Sequence, residues 1–277
     1  MKPISDLTVA EAGGVRYVLM DIDDTLTLRG KLPAVSYEAL WKLKEAGLKV
    51  IPVTGRPAGW CDCIARQWPA DGVVGENGAL AFWEDAPSLR DGDAAHPSLP
   101  CLKTMYHPGA VKNDHPALAR IREQALAEIP GLRGAKDQFA RLFDIALDFA
   151  EEEPVLPFSA AEKVREIALS HGAEAKISSI HVNVWMGKYD KLSMAERFLR
   201  ERFGWQGDTA EVVFVGDSPN DEPMFARFPL ACAVANISRF RGVMKTLPAF
   251  IAGGEGGGGF AEIVQTLLAI KGAGKDG

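Results

Sequence analysis

Val15-Arg16-Tyr17-Val18-Leu19-Met20 runs directly into Asp21-Ile22-Asp23-Asp24-Thr25-Leu26-Thr27. The first stretch is short, β-rich and apolar without a two-residue alternation. That pattern suits a strand covered on both faces, as in a parallel sheet. The strand ends on a carboxylate. Ser36 is the expected N-cap of a following helix, Tyr37, Leu40, Trp41 and Lys44 fall at helical spacing, and Gly47 supplies a C-terminal stop. Lys49 to Val53 then reads as a second strand ending on Thr54. Strand, helix, strand at this spacing is a βαβ unit with a right-handed crossover.

The same order returns late in the chain. Asp190 is placed to cap a helix with Leu192, Ala195, Phe198 and Leu199 on one face, closed by Gly204. Val212 to Val215 is another buried type of strand, and it ends on Gly216-Asp217. Alternating strands and helices at both ends of the chain imply an α/β core, a doubly wound and mostly parallel sheet. In such sheets ligands collect beyond the carboxyl ends of the strands. Asp21, Thr54 and Asp217 each stand at such an end.

Between these halves the periodicity is less regular. Proline, glycine and aspartate cluster between Asp85 and Pro100. Leu102 to Tyr106, Arg141 to Phe149, Ala175 to Ser179 and His181 to Trp185 read as strands, while Pro116 to Glu128 and Ala160 to Ser170 read as helices. The expected organisation is a discontinuous core, 1–81 with 186–277, and an inserted α+β cap over 82–185, long enough to fold as a unit. Gly253 to Gly259 lacks the Lys-Ser/Thr ending of a Walker loop and the dinucleotide spacing. It reads as a flexible loop entering a helix that carries Phe260, Ile263, Val264, Leu267 and Leu268, and Lys271 to Gly277 as a frayed tail.

Composition narrows the partners. The 277 residues are 47% hydrophobic and hold 31 Lys and Arg against 37 Asp and Glu, a formal net charge of -6. A mildly acidic chain argues against nucleic acid or an anionic membrane as the main partner. Met1 to Gly14 lacks a basic start followed by an apolar stretch, and no apolar run approaches about 18 residues, so neither a secretory signal nor a membrane span is expected. The four cysteines do not make a zinc pattern and read as reduced thiols of a cytoplasmic protein.

Four segments in order carry the chemistry: Asp21 to Thr27; Thr54-Gly55-Arg56-Pro57; Lys191 within Lys188-Tyr189-Asp190-Lys191; and Gly216-Asp217-Ser218-Pro219-Asn220-Asp221. Each alone has an ordinary structural reading as a cap, a turn or a solvated lysine. Together they resemble the signature of the haloacid dehalogenase superfamily, and within it the Cof-type phosphatases and their sugar-phosphatase and phosphomannomutase relatives. Glu76-Asn77-Gly78-Ala79 is similar to the same subgroup. The residue after the second aspartate, often glycine there, is Asp24 here.

The resemblance implies a magnesium-dependent phosphatase of a small phosphorylated metabolite, with a sugar phosphate as the expected substrate. It makes Asp21 the nucleophile that becomes an aspartyl-phosphate, and Asp23 the acid and then the base. Asp21, the Asp23 carbonyl, Asp217 and Asp221 are the implied Mg2+ ligands. Thr54, Gly55, Lys191 and Asn220 are implied to hold the phosphoryl group, with Lys188 the fallback for Lys191. The residue types make sense, because two like unit charges at about 4 Å repel by about 4 kcal/mol at an effective dielectric of about 20. A carboxylate therefore needs a cation to approach a phosphate dianion, and magnesium favours the hard oxygens present. Arg56, Asn77, His107, His181, Asn183 and Trp185 are candidates to face the substrate. The alternatives are a phosphomutase, which returns the phosphoryl group to the sugar, and a non-catalytic phosphate-binding protein.

Overall fold

A computed structural model describes residues 1–85 and 100–273. In chain order the strands are β1 (Lys2–Pro3), β2 (Tyr17–Met20), β3 (Lys49–Pro52), β4 (Val73–Gly75), β5 (Leu80–Asp85), β6 (Cys101–Tyr106), β7 (Arg133–Gly134), β8 (Asp144–Asp148), β9 (Glu174–Ile177), β10 (His181–Trp185), β11 (Val212–Gly216), β12 (Leu230–Ala233) and β13 (Phe250–Ile251). The α-helices are α1 (Val9–Ala12), α2 (Ala34–Glu45), α3 (Ala58–Gln67), α4 (Pro116–Glu128), α5 (Phe158–Ser170), α6 (Lys191–Phe203), α7 (Glu222–Arg227) and α8 (Gly256–Ala273). Most of the segment rich in Pro, Gly and Asp, and the end of the expected tail, lie outside the described residues.

Six strands form a parallel sheet in the order β1-β13-β12-β11-β2-β3. Continuous hydrophobicity in β2 has a direct cause. Val18 and Met20 enter one apolar cluster, and Tyr17 and Leu19 enter another on the opposite face. In β11, Val213 and Val215 join the first cluster, and Val212 and Phe214 the second. Both strands are thus covered on two sides, and their polar residues are confined to the ends. The strand order reverses at β2, where β3 lies on one side and β11 on the other. Register sets Met20 opposite both Val215 and Pro52, so the carboxyl ends of β11, β2 and β3 are level.

A second sheet, β7-β8-β10-β9, is antiparallel and carries α4 and α5. Its apolar cluster draws on Leu118 to Val184. The hairpin β5–β6 extends from β4, which joins the parallel sheet through the Val53–Val74 bridge. Phe82, Trp83, Leu102 and Met105 of that hairpin pack on the two clusters of the parallel sheet, although they fall within the interval 82–185.

Several local expectations are corrected. Ser36 does not cap α2: Pro33 does, and Ser36 lies inside the first turn, its Oγ donating to Leu26 O at 2.6 Å. The buried face of α2 is therefore Ser36, Ala39, Leu40 and Leu43, while Trp41 is half exposed. The glycine run is a loop only at Gly253, Gly254 and Glu255. Gly256 to Gly259 form the first turn of α8, and Ser36 Oγ would lie 2.0 Å from a Cβ on Gly257. Small residues there let α8 seat against the start of α2. The helix also continues through Lys271, whose Nζ donates to Val15 O at 2.7 Å. All four cysteines are free thiols. Among the described residues no helix is long and apolar enough to cross a membrane.

Candidate active site

Asp21 follows β2 and Asp217 follows β11, so adjacent parallel strands deliver two carboxylates to one place. The Asp21 N–H donates to Val215 O at 2.9 Å, which ties the two strand ends together. Beyond Asp217 the chain turns through a single 3-10 turn, Pro219–Asp221. That turn brings Asp221 back, and its Oδ2 accepts the Asp217 N–H at 3.1 Å. Oxygens of Asp21, Asp217 and Asp221 all lie within 4.8 Å of one another, and all three residues are buried.

Lys191 reaches them from α6. Asp190 caps that helix, its carboxylate accepting the Ser193 N–H at 2.8 Å, and Gly204 ends it in a left-handed conformation (φ 69°). The cap sets Lys191 on the first turn, and its ammonium bonds Asp21 Oδ2 at 2.9 Å and Asp221 Oδ1 at 2.8 Å. With 2% of its surface exposed, it is a fixed buried cation. Gly78 permits this approach: at φ 106°, a Cβ there would lie 2.0 Å from Asp190 O. Lys188, the fallback, is instead exposed and pairs with Glu174.

Three carboxylates outnumber one ammonium. Burial, offset by Lys191 and reinforced by Asp221, pushes the Asp21 carboxyl up to about 7. Burial and the Asp221 carboxylate push Asp217 well above the ordinary range. Asp217 Oδ1 accepts the Thr25 hydroxyl at 3.1 Å, whereas Oδ2 is buried with no hydrogen-bond partner among the described residues. An orphaned carboxylate oxygen beside two further carboxylates suits a hard divalent cation such as Mg2+. The donor set therefore fits the ion that the sequence implies.

Thr54 is buried at the end of the β3 segment, and its hydroxyl accepts the Arg56 N–H at 3.0 Å. Gly55 O accepts from Arg141 Nη1 at 3.0 Å. Asn220 is buried and accepts the Ser218 hydroxyl at 2.8 Å. Asp21, Asp23, Gly55, Arg56, Asn183 and Asn220 are among the residues around a closed space of about 10 Å³, enough for about one water. Over this space β10 and the turn before it place Ser178, Ile180 and His181. The second sheet is thus a closed roof.

Asp23 and Asp24 part company. Asp24 adopts φ 56°, the left-handed region, which explains why glycine is common at this position in the resembling family. Asp23 turns to Arg56, whose Nε and Nη2 reach it at 2.9 and 2.8 Å. The same guanidinium meets Asp137 at 3.3 Å and Glu151 at 2.8 Å, both from the roof. Arg56 is 5% exposed and lies over the Trp60 ring at 4.4 Å.

A second buried junction joins roof to floor. Glu76, wholly buried, accepts the N–H groups of Ala58, Leu142, Phe143 and Asp144 at 2.7 to 3.2 Å. Beside it Arg141 pairs with Asp144 at 2.9 Å. Burial and the Asp144 carboxylate push Glu76 up to about 7, against its backbone donors.

Of the candidates to face substrate, Arg56, His181 and Asn183 line the closed space. Both polar atoms of the Asn77 side chain are buried, have no hydrogen-bond partner among the described residues and lie against Gly55. His107 and Trp185 instead pack against Tyr189, with ring centroids 5.6 and 5.3 Å away. Sequence reading missed Thr25, Glu76 as a junction, and the roof residues Asp137, Arg141, Asp144, Glu151, Ser178 and Ile180. Only Arg141 and Asp144 left a signal, as charges inside an expected strand.

Residues 18–90 match the haloacid dehalogenase-like hydrolase family. A phosphoglycolate phosphatase of Pyrobaculum neutrophilum is 27% identical over 259 residues, covering 92% of this chain and 96% of that protein. Among solved structures, a Thermoplasma acidophilum protein superposes with a TM-score of 0.64 at 20% identity, over 92% of this chain and 98% of that one. The subclass IIB sugar phosphatase BT4131 superposes with a TM-score of 0.61 at 15% identity, over 92% of this chain and the whole of the other. By its matched segment and its near full-length relative this chain is similar to the haloacid dehalogenase-like hydrolases, and it shares the fold of the superposed structures.

Proposed function

We propose that this phosphatase hydrolyses a small phosphorylated metabolite through an aspartyl-phosphate on Asp21, with Mg2+ as cofactor. The single observation that carries this reading is the convergence of Asp21, Asp217, Asp221 and Lys191, with Asp217 Oδ2 buried and without a hydrogen-bond partner among the described residues. Asp21, Asp217 and Asp221 would hold the ion, and when bound it supplies positive charge between carboxylate and phosphate.

The protein's own groups account for the remaining chemistry. An Asp21 oxygen attacks phosphorus, the bond from phosphorus to the leaving oxygen breaks, and Asp23 gives that oxygen a proton. Water then attacks the aspartyl-phosphate, Asp23 takes its proton, and the phosphorus–Asp21 bond breaks to release phosphate. Lys191, Thr54 and the Gly55 amide balance charge on the transferring oxygens. The closed space is far smaller than a phosphate ester, so the segment around β7–β10 and α4–α5 acts as a lid that lifts to admit substrate. We assign the core to 1–81 with 186–277 and the intervening chain to the lid and the β5–β6 hairpin. Such a lid favours small substrates over folded phosphoproteins.

Substrate class follows from size and from the relatives. The near full-length relative is named for phosphoglycolate and the structural neighbour for sugar phosphates, so phosphorylated hydroxy acids are tested beside sugar phosphates. A phosphate-release screen over both classes, with and without Mg2+, is the direct test. Magnesium-dependent release from at least one small phosphoester is expected, and no release from any would overturn the proposal.

A further inference from the structure

Glu151 carries the lid's most informative contact. Its Oε1 accepts from Arg56 Nη2 at 2.8 Å, and its Oε2 lies 2.8 Å from His181 Nε2. Both partners are buried, and both also line the closed space that contains Asp21. One carboxylate, held oxygen by oxygen between a guanidinium and an imidazole, occupies what is in effect a carboxylate site facing the nucleophile. The fit is good. The His181 hydrogen bond, opposed by burial and assisted by His181 and Arg56 charge, draws the Glu151 carboxyl down to about 2.

Three carboxylates surround Arg56, and Glu151 is the most exposed of them. Asp23 belongs to the floor of the site. Asp137 is also held by Arg141, at 3.2 Å, and its side chain is 12% exposed. Glu151 stands on the exposed connection between β8 and α5, its side chain 31% exposed. Beside it lies a cavity of about 390 Å³, which Glu151 lines together with Asp24, Arg29 and Arg239.

Resting on the phosphatase reading above, we propose that Arg56 and His181 form a subsite for a carboxylate on the substrate, and that Glu151 is its built-in occupant. The substrate is then a phosphoester of a short hydroxy acid. Its phosphoryl group lies at Asp21, and its own carboxylate takes the place of Glu151 when the lid closes. A sugar phosphate, which carries no charge beyond its phosphoryl group, offers no carboxylate to displace that side chain.

The test compares KM for 2-phosphoglycolate with KM for p-nitrophenyl phosphate in the magnesium-loaded full chain. If Glu151 fills the subsite about nine-tenths of the time, its removal strengthens apparent carboxylate binding about tenfold. The ratio of the two KM values should therefore fall about tenfold in Glu151→Gln and Glu151→Ala, and rise about tenfold in His181→Gln. Ratios that stay within about twofold of the wild type would overturn the subsite. Absence of turnover on every phosphoester would count against the phosphatase reading alone. Calorimetric titration with glycolate then decides the subsite separately: tighter binding to Glu151→Ala than to the wild type supports it, and equal binding overturns it.

Discussion

The floor and the roof of this site are built by different means. On the floor, Asp21, Thr54 and Asp217 sit at the ends of adjoining strands, so backbone register alone brings them together. On the roof, Asp137, Glu151 and His181 come from a 3-10 turn, an exposed connection and a strand of the second sheet. The floor's geometry is fixed by buried β-structure, whereas the roof's depends on ion pairs gathered around Arg56. Placement by backbone gives rigid chemistry, and placement by side chains gives a surface that can change its occupant.

This contrast is strongest at Asp21, the proposed nucleophile. Asp21→Asn should lower turnover by at least about 10⁴-fold, on the scale of losing a covalent nucleophile, while the thermal midpoint and circular dichroism stay native. Retained activity would break the assignment of chemistry to the floor. Next in size is the junction between the regions. Glu76→Ala would strand four backbone N–H donors, and unfolding in urea should show a loss of about 3 kcal/mol or more. A loss under about 1 kcal/mol would mean that floor and roof are not joined there.

Asp217→Ala sharpens the comparison from below. The Mg2+ concentration for half-maximal activity should rise by about 10- to 100-fold, and an unchanged metal titration would remove Asp217 from the floor's cation site. The smallest expected effect concerns pH. Glu76 keeps its proton in the folded state to about pH 7, while the unfolded chain releases it near its ordinary value of 4.5. The folded state then binds more protons between those values, so stability falls as pH rises through that window. The unfolding free energy from urea titration should be lower at pH 7.5 than at pH 5, by an amount on the order of 1 to 3 kcal/mol, and Glu76→Gln should flatten that slope.

The floor was legible in the sequence because a buried parallel strand permits few polar residues. A carboxylate at the end of Tyr17–Met20 or Val212–Gly216 stands out against its apolar run. Lys191 was readable because Asp190 announced a helix start beside it. The roof gave no comparable signal. Glu151-Glu152-Glu153-Pro154 has the composition of a solvated loop, and only the fold brings Glu151 to Arg56. Local capping was misread at Ser36, where a close approach to Leu26 outweighs capping preference. The glycine run was misread for a similar reason, because at Gly257 the start of α8 meets Ser36 of α2 too closely to carry a side chain.

Gly78 illustrates how far the chemistry extends beyond charged groups. An added methyl there would collide with the Asp190 carbonyl, which heads the helix bearing Lys191. Relief of that collision would shift the ammonium away from Asp21 and Asp221, leaving two anions less well neutralised. An uncharged, buried position thus works as a spacer that sets the electrostatic tuning of Asp21.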